Sequence, residues 1–336
     1  MEAGALAQSE QSRPFGAMRE FARRRPGLVA TGVLGILVIL LIASQGIHDV
    51  AQTGLNGLSL GSVLALGAIG LTLVYGILKL VNFAHGDFIT FGAYIAFAVN
   101  ISAGVPLAIA VVAAMAATAL LGVFFERAMW GPMRARGAGL LQLLLMSIGL
   151  ALLIRGIVQM IWSTEIRTLD VNTTATVDFL GLSIGRTALI VIVIGFVVLV
   201  AIGLMLRYSL LGKQMRALSD DLELAETAGV NTERVVILTW VFSGALAGLA
   251  GALAATSLTV YPELGFELLL ALFAAVVIGG IGNPFGALAG GIVLGLVIEW
   301  STLLIDARWK LTFGFAVLIL VLIFRPQGIF GRARTV

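Results

Sequence analysis

The chain has 336 residues, 60% of them hydrophobic and only 12% charged, with a mean hydropathy of +1.07; soluble domains carry about 25% charged residues, so the composition specifies a membrane protein with many spans. The formal net charge of +3 and pI near 9.6 are accounted for by basic residues in cytoplasmic loops, without nucleic acid as a partner. The absence of cysteine excludes thiol catalysis, disulfides and thiolate metal sites, and two histidines, His48 and His85, are too few for a histidine-rich metal cage.

Residues 1–26 are polar and carry Arg13, Arg19, Arg23, Arg24 and Arg25, which should keep this end in the cytoplasm. Residues 27–45 contain an apolar run, Leu28 to Ile42, intermediate in length between a signal-peptide core and a short membrane helix. Ala43 and Ser44 make a poor cleavage site, so an uncleaved extra span or signal anchor is expected. Residues 46–336 form the main membrane domain, with apolar runs at 53–77, 87–102, 105–125, 140–162, 188–206, 235–256, 268–281, 284–303 and 311–324. The expected fold is an all-α polytopic membrane protein with about ten transmembrane or re-entrant helices. The run at 268–281 is short and glycine-rich near its end, as suits a re-entrant or half-length helix.

The loops can be walked with the N-terminus inside. The inward segments then hold Lys79, Arg127, Arg134, Arg136, Arg207, Lys213, Arg216, Arg234, Arg325, Arg332 and Arg334, while the outward ones hold only Arg167, Arg186, Arg308 and Lys310. A single missed span would scramble this separation, so the count and the placement of both termini in the cytoplasm support each other. Residues 163–187, with Asp170 and Asp178, form the main external segment.

The longest charged, helix-competent island, RYSLLGKQMRALSDDLELAETAGVNTER at 207–234, therefore lies in the cytoplasm. Leu218, Leu222, Ala225 and Gly229 fall on one face of a helix, Asp220, Asp221, Glu223 and Glu226 fall elsewhere, and Gly229 supplies a stop. The pattern predicts one short amphipathic helix, either a solvated connector or a docking element. Gly57 with Gly61, Gly244 with Gly248, Gly282 with Gly286 and Gly290, and Gly291 with Gly295 follow the four-residue spacing that lets helices approach closely.

Polar groups at membrane depth are few. In the connection from Tyr75 to Tyr94, YGILKLVNFAHGDFITFGAY, Asn82 can cap the next helix, Asp87 sits in its first turn and His85 is of a residue type that can change charge near neutral pH. These residues are either a capped helix start at the cytoplasmic interface or a polar turn lining a pathway or gate, to which Asn56 and Ser62 on the preceding span would contribute. Arg155 and Glu299 are the ionised groups well inside the expected spans, both toward the outer face, and are candidates for an interhelical pair. No phosphate loop, metalloprotease helix or activated nucleophile is present, so the chain is not expected to be an enzyme and transport energy must come from an ion gradient or a separate subunit.

Four stretches carry a family resemblance: NGLSLGSVLALGAIGLTLVYGILKLVNFAHGDFITFGAY from Asn56, GKQMRALSDDLELAETAGVNTERV from Gly212, AAVVIGGIGNPFGALAGGIVLGLVIE from Ala274 and FRPQGIFG from Phe324. In this order they resemble the LivH-type permeases of branched-chain amino acid ABC importers. The resemblance implies a LivM-like second permease, two cytoplasmic ATPase subunits that hold ATP and Mg, a periplasmic or lipid-anchored solute-binding protein, a bacterial inner membrane, and no cofactor or metal bound by this chain. It also implies that the loop at 207–234 couples to the ATPase through Gly212, Arg216, Ala217, Asp220, Ala225, Gly229 and Asn231. Residues 1–44 are an extension beyond shorter members, and Leu64 stands where relatives usually have tyrosine. The solute implied is leucine, isoleucine or valine. Permeases for urea and short amides are similar in the same motifs, and a proton-coupled secondary transporter using Asp87, His85 or Glu299 is the alternative of another class.

Overall fold

The structure is a computed structural model that describes residues 26–171, 175–179, 181–324 and 328. The basic N-terminal segment, Arg325, Arg332, Arg334 and most of FRPQGIFG lie outside the described residues. Helices dominate because an apolar chain in an apolar medium satisfies its backbone donors and acceptors only within itself. The elements are α1 (Pro26–Gln45), α2 (Ile47–Leu78), α3 (His85–Phe97), α4 (Leu107–Ala135), α5 (Leu140–Trp162), a β-hairpin (β1 Thr176–Phe179, β2 Leu182–Gly185), α6 (Arg186–Tyr208), α7 (Leu210–Asp220), α8 (Leu222–Thr227), α9 (Thr232–Ser257), α10 (Leu264–Gly279), α11 (Pro284–Ser301) and α12 (Lys310–Phe324). Ten of these helices fall on the ten apolar runs. By length and composition six of them, α2, α4, α5, α6, α9 and α11, can cross a membrane, and α3, α10 and α12 are shorter.

The bundle has two ends. At one, the loop end, Lys79 Nζ donates to Ser219 O at 3.0 Å and Ser219 Oγ to Gly76 O at 2.9 Å, drawing the end of α2 to α7. At the other, the hairpin end, His48 Nε2 lies 2.8 Å from Gly181 O and Gln52 Nε2 donates to Ser183 O at 2.7 Å, tying the start of α2 to the β-hairpin.

A long helix, a break and a short helix occur twice, in opposite directions. α2 runs to the loop end and stops at Lys79, whose left-handed backbone (φ 53) turns the chain back. Residues 79–84 re-enter the bundle, and α3 starts inside it: His85 Nε2 lies 3.0 Å from Gly67 O. Gly67 is ~16 Å of helix before Leu78. α9 runs the other way, residues 258–263 turn back with Val260 and Arg167 exchanging two backbone hydrogen bonds of 2.8 Å, and α10 returns to the loop end. The inverted pair α2–α3–α4 and α9–α10–α11 forms the core. No convincing repeat is visible in the residues themselves.

Small residues make the seams of this core. A Cβ on Gly57 or Gly61 would collide with the backbone of Leu296 or Ile292, and one on Gly291 or Gly295 with Ala65 or Gly61. The mirror seam joins Gly244 and Gly248 of α9 to Thr118, Ala119 and Ala114 of α4. These glycines, together with Gly279, Gly286 and Gly290 at the α10–α11 crossing, therefore pack helices within one subunit. α1 stands at the edge, held through a small cluster of Leu41, Val50 and Trp300, whose Nε1 donates to Val50 O at 3.0 Å.

The seams separate two kinds of glycine experimentally. Gly295→Ala, which drives a methyl into the backbone of α2, should destabilise the protein by about 1–3 kcal/mol, whereas Gly149→Ala, with nothing within 4 Å, should be neutral or stabilise by up to ~1 kcal/mol. Thermal melting in detergent compares them; equal melting points would contradict the seam.

Candidate functional site

Two polar features stand out from the apolar bundle: the charged loop and the helix breaks. In the loop, α6 ends at Tyr208 and Ser209 caps α7 by accepting from Gly212 N at 3.0 Å. α7 folds back so closely that a Cβ on Gly212 would overlap the Leu206 carbonyl. Arg216 donates to that same carbonyl, placing a cation on the C-terminal end of α6. Met215 and Leu218 are buried beneath α7, and Ala217 is partly covered.

The expectation of one amphipathic helix is corrected here. Asp221 is extended (φ −156, ψ 115) and splits the segment, ending α7 and capping α8 through Leu224 N at 3.0 Å. An aspartate that can satisfy a helix-start donor is as good a boundary as a glycine. Leu218 and Ala225 are buried as the face predicted, but Leu222 and Leu224 are 43% and 66% exposed beside Asp220, Asp221, Glu223 and Glu226. Gly229 turns the chain at φ +83, and Asn231 accepts from Arg234 N at 2.9 Å to start α9. The result is a firmly capped projection with two exposed leucines in an acidic rim.

At the other feature, α3 and α10 meet by their first turns. A Cβ on Gly86 or Gly265 would overlap the backbone of the other helix, and Thr90 Oγ1 accepts from Gly265 N at 2.9 Å. Asn82 accepts from Ala84 N at 3.1 Å, closing the turn before α3 rather than capping the helix. Asp87 is fully buried and takes two hydrogen bonds from Arg155 of α5, at 3.0 Å from Nε and 3.3 Å from Nη2. The Arg155 guanidinium lies 4.7 Å from the Phe266 ring centroid, and Gln159 Nε2 donates to Glu263 Oε1 at 3.1 Å.

Arg155 is therefore paired with Asp87 and not with Glu299, which holds Lys310 at 2.9 Å near the hairpin end. The re-entrant path of residues 79–84 lifts Asp87 from the interface to the depth of Arg155, while Glu299 lies within reach of the start of α12. Asn82, His85 and Asp87 gather at this break. Asn56 is exposed, and Ser62 is buried against Gly195 of α6 with its hydroxyl spent on Leu58 O at 2.8 Å, so neither joins them. Among the described residues no group of three or more acidic or histidine side chains is arranged for a metal.

Two sets of residues were not evident beforehand. Glu263, Phe266 and Glu267 fall before the apolar run at 268–281, yet α10 begins at Leu264; the charges mask the helix start. Glu126, in a π turn of α4, is buried and bound by Arg134 and by Trp240 Nε1 at 2.6 Å. The residues carry no clear signal for it, since a spacing of eight puts Glu126 and Arg134 about 12 Å apart along a regular helix; they meet across the π turn at Glu126–Trp130.

Asp87→Ala, which leaves the guanidinium unpaired inside the bundle, should cost about 3–5 kcal/mol. The double replacement Asp87→Leu with Arg155→Met should recover most of that loss. A double-mutant cycle on thermal stability measures the coupling, and simple additivity would refute the pair.

Residues 53–322 match the family described as branched-chain amino acid transport system / permease component. The chain is 34% identical over 295 residues to the high-affinity branched-chain amino acid transport system permease protein LivH of Escherichia coli K12, covering 84% of this chain and 95% of that one. It is 34% identical over 302 residues to BraD of Pseudomonas aeruginosa PAO1, covering 85% and 97%, and 26% identical over 286 residues to a probable LivH of Methanocaldococcus jannaschii, covering 80% and 89%. With apolar helices suited to several membrane crossings and this match across both features, the chain is a multi-pass membrane protein of the branched-chain amino acid permease family, a transporter rather than an enzyme.

Proposed function

We propose that this chain is a permease subunit of an ATP-driven importer of leucine, isoleucine and valine in a bacterial inner membrane. The observation that carries the reading is the 34% identity to LivH and BraD, extending over 95% and 97% of those permeases. A LivM-like permease, two ATPase subunits holding ATP and Mg, and a solute-binding protein complete the machine. The basic residues at the loop end, Lys79, Arg134, Arg136, Lys213 and Arg216 among them, support a cytoplasmic loop end and both termini inside. α1 lies outside the family match and is read as an uncleaved additional span.

The projection formed by α7 and α8 is read as the ATPase docking element. Gly212 permits the fold-back, Arg216 and Ala217 fix α7 on α6, Asp220 and Ala225 flank the split at Asp221, and Gly229 and Asn231 direct the chain into α9. Two exposed leucines ringed by carboxylates suit a groove that is apolar at its floor and basic at its edge. A proton-coupled transporter is less well supported, since Asp87 is committed to Arg155 and Glu299 to Lys310.

Two measurements test the proposal. Leu222→Asp with Leu224→Asp should lower ATP-driven uptake at least tenfold and release the ATPase subunits from the detergent-purified complex without reducing the amount of permease in the membrane; unchanged uptake would remove the docking role. Vesicles holding the whole complex should accumulate labelled leucine and exclude labelled urea. Accumulation of urea instead would reassign the solute.

A further inference from the structure

Most of the outward surface of the bundle is what lipid requires. Between their ends, where Arg127, Arg186 and Arg207 stand, the exposed side chains of α4 and α6 are apolar, among them Val112, Leu120, Phe124, Val193, Phe196 and Val200. One face departs from this. On α10, Glu267 is exposed and Phe266 is 42% exposed, and beside them Glu263, Gln159 and Arg155 are partly exposed.

Depth makes the departure significant. α10 ends at the loop end, where Gly279 packs on Gly286, and Glu267 lies ~18 Å of helix above that point. Arg155 lies ~22 Å above the start of α5 at Leu140. A hydrocarbon core is about 30 Å thick, so both groups fall within it. The Tyr261 hydroxyl donates to Glu267 Oε2 at 2.6 Å, which satisfies one lone pair of a carboxylate and leaves the rest needing water or another donor. An exposed carboxylate at this depth is not stable against lipid. Next to this face, and sharing Gln159 with it, opens a cavity of about 670 Å³ between the end of α5 and the turn after α3, with Trp162, Ser163 and Arg167 in its wall. Acid, amide, guanidinium and aromatic groups thus share one polar strip running from the hairpin end toward the helix breaks.

We propose that the outer half of α5 and the first half of α10 form a hydrated wall of the solute path, on which Glu263 and Glu267 face the ammonium of a small zwitterion, Arg167, which pairs with Glu165 at 2.8 Å, exchanges that partner for the carboxylate, and Phe266 meets the apolar side chain. The inference rests on the transport reading above and names the surface that reading leaves open.

The chain contains no cysteine, so an introduced cysteine is its one thiol, and labelling is read on this chain after separation from its partner subunits. Phe266→Cys, Glu267→Cys and Leu270→Cys, the last at a 44% exposed position two turns into α10, are to be compared with Leu120→Cys and Val197→Cys on the apolar faces. Each is reacted in the full complex with a charged, membrane-impermeant methanethiosulfonate added from outside. The α10 positions should react at least tenfold faster than the controls, and modification of Leu270→Cys, which replaces no solute-contacting group, should block uptake, while modification of Asp178→Cys in the β-hairpin should not. Reaction as slow as at the controls overturns the wall, whichever α10 position is used. Fast reaction without loss of uptake also overturns it as a path. Labelling needs no knowledge of the solute, so fast labelling in vesicles that take up no leucine sinks the solute assignment and leaves the wall standing.

Discussion

The structure depends on the crossing of two helix starts at Gly86 and Gly265. Neither position has room for a Cβ, so α3 and α10 meet backbone to backbone inside the bundle. Each helix start leaves amide donors unpaired within its own helix and carries a partial positive charge. Thr90 takes one of those donors, from Gly265, and Asp87 sits in the first turn of α3, where its charge is favourable. A carboxylate so deep needs a counter-charge, and Arg155 supplies it from the neighbouring helix with two hydrogen bonds. Backbone contact thus leads to broken helices, and the breaks to a buried ion pair.

The crossing also explains the rest of the core. Two helices that stop short leave their long partners α2 and α9 to bridge the bundle, and Ser243 Oγ of α9 reaches Gly70 O of α2 at 2.8 Å near the centre. α2 then seals against α11, and α9 against α4, along glycine seams too tight for sliding. The two seams make two closely packed helix pairs, two bodies that meet where α2 crosses α9. On the α4–α9 body, Trp240 is held between Glu126 and the stacked ring of Trp130, 6.3 Å away, so the start of α9 and the loop end of α4 are locked together.

How much of this the residues disclose depends on the kind of interaction. The ten helices were legible because each needs a long apolar run, and the loop because a charged island among such runs has few places to go. The glycine seams were legible as spacing, although only the fold shows that Gly61 faces Ile292 and Gly291 faces Ala65. The depth of Asp87 was not legible. Asn82, His85 and Asp87 read alike as a helix start at an interface or in the middle of a bundle, and residues 79–84 contain neither proline nor glycine to announce a re-entrant path. The true partner of Arg155 followed from that depth, so the Arg155–Glu299 pairing failed with it. The start of α10 was hidden for the opposite reason, since its acidic first turn looks like loop when apolarity is the only guide.

The loop projection touches these bodies unequally. α7 is fixed to the end of α6 by Arg216 and to the end of α2 by Ser219 and Lys79, while Asn231 leads α8 directly into α9. α6 meets lipid with most of its length and packs on α2 through Gly195 and Ser62. A displacement of the projection therefore reaches both α2 and α9, one on each side of the central crossing, and the glycine seams carry each of those movements to α11 and α4 as whole bodies. Under the transport reading, the point where such bodies rotate against each other is the break, where the backbones touch at Gly86 and Gly265, the hydrogen bond from Gly265 N to Thr90 Oγ1 crosses between them and the polar face of α10 begins.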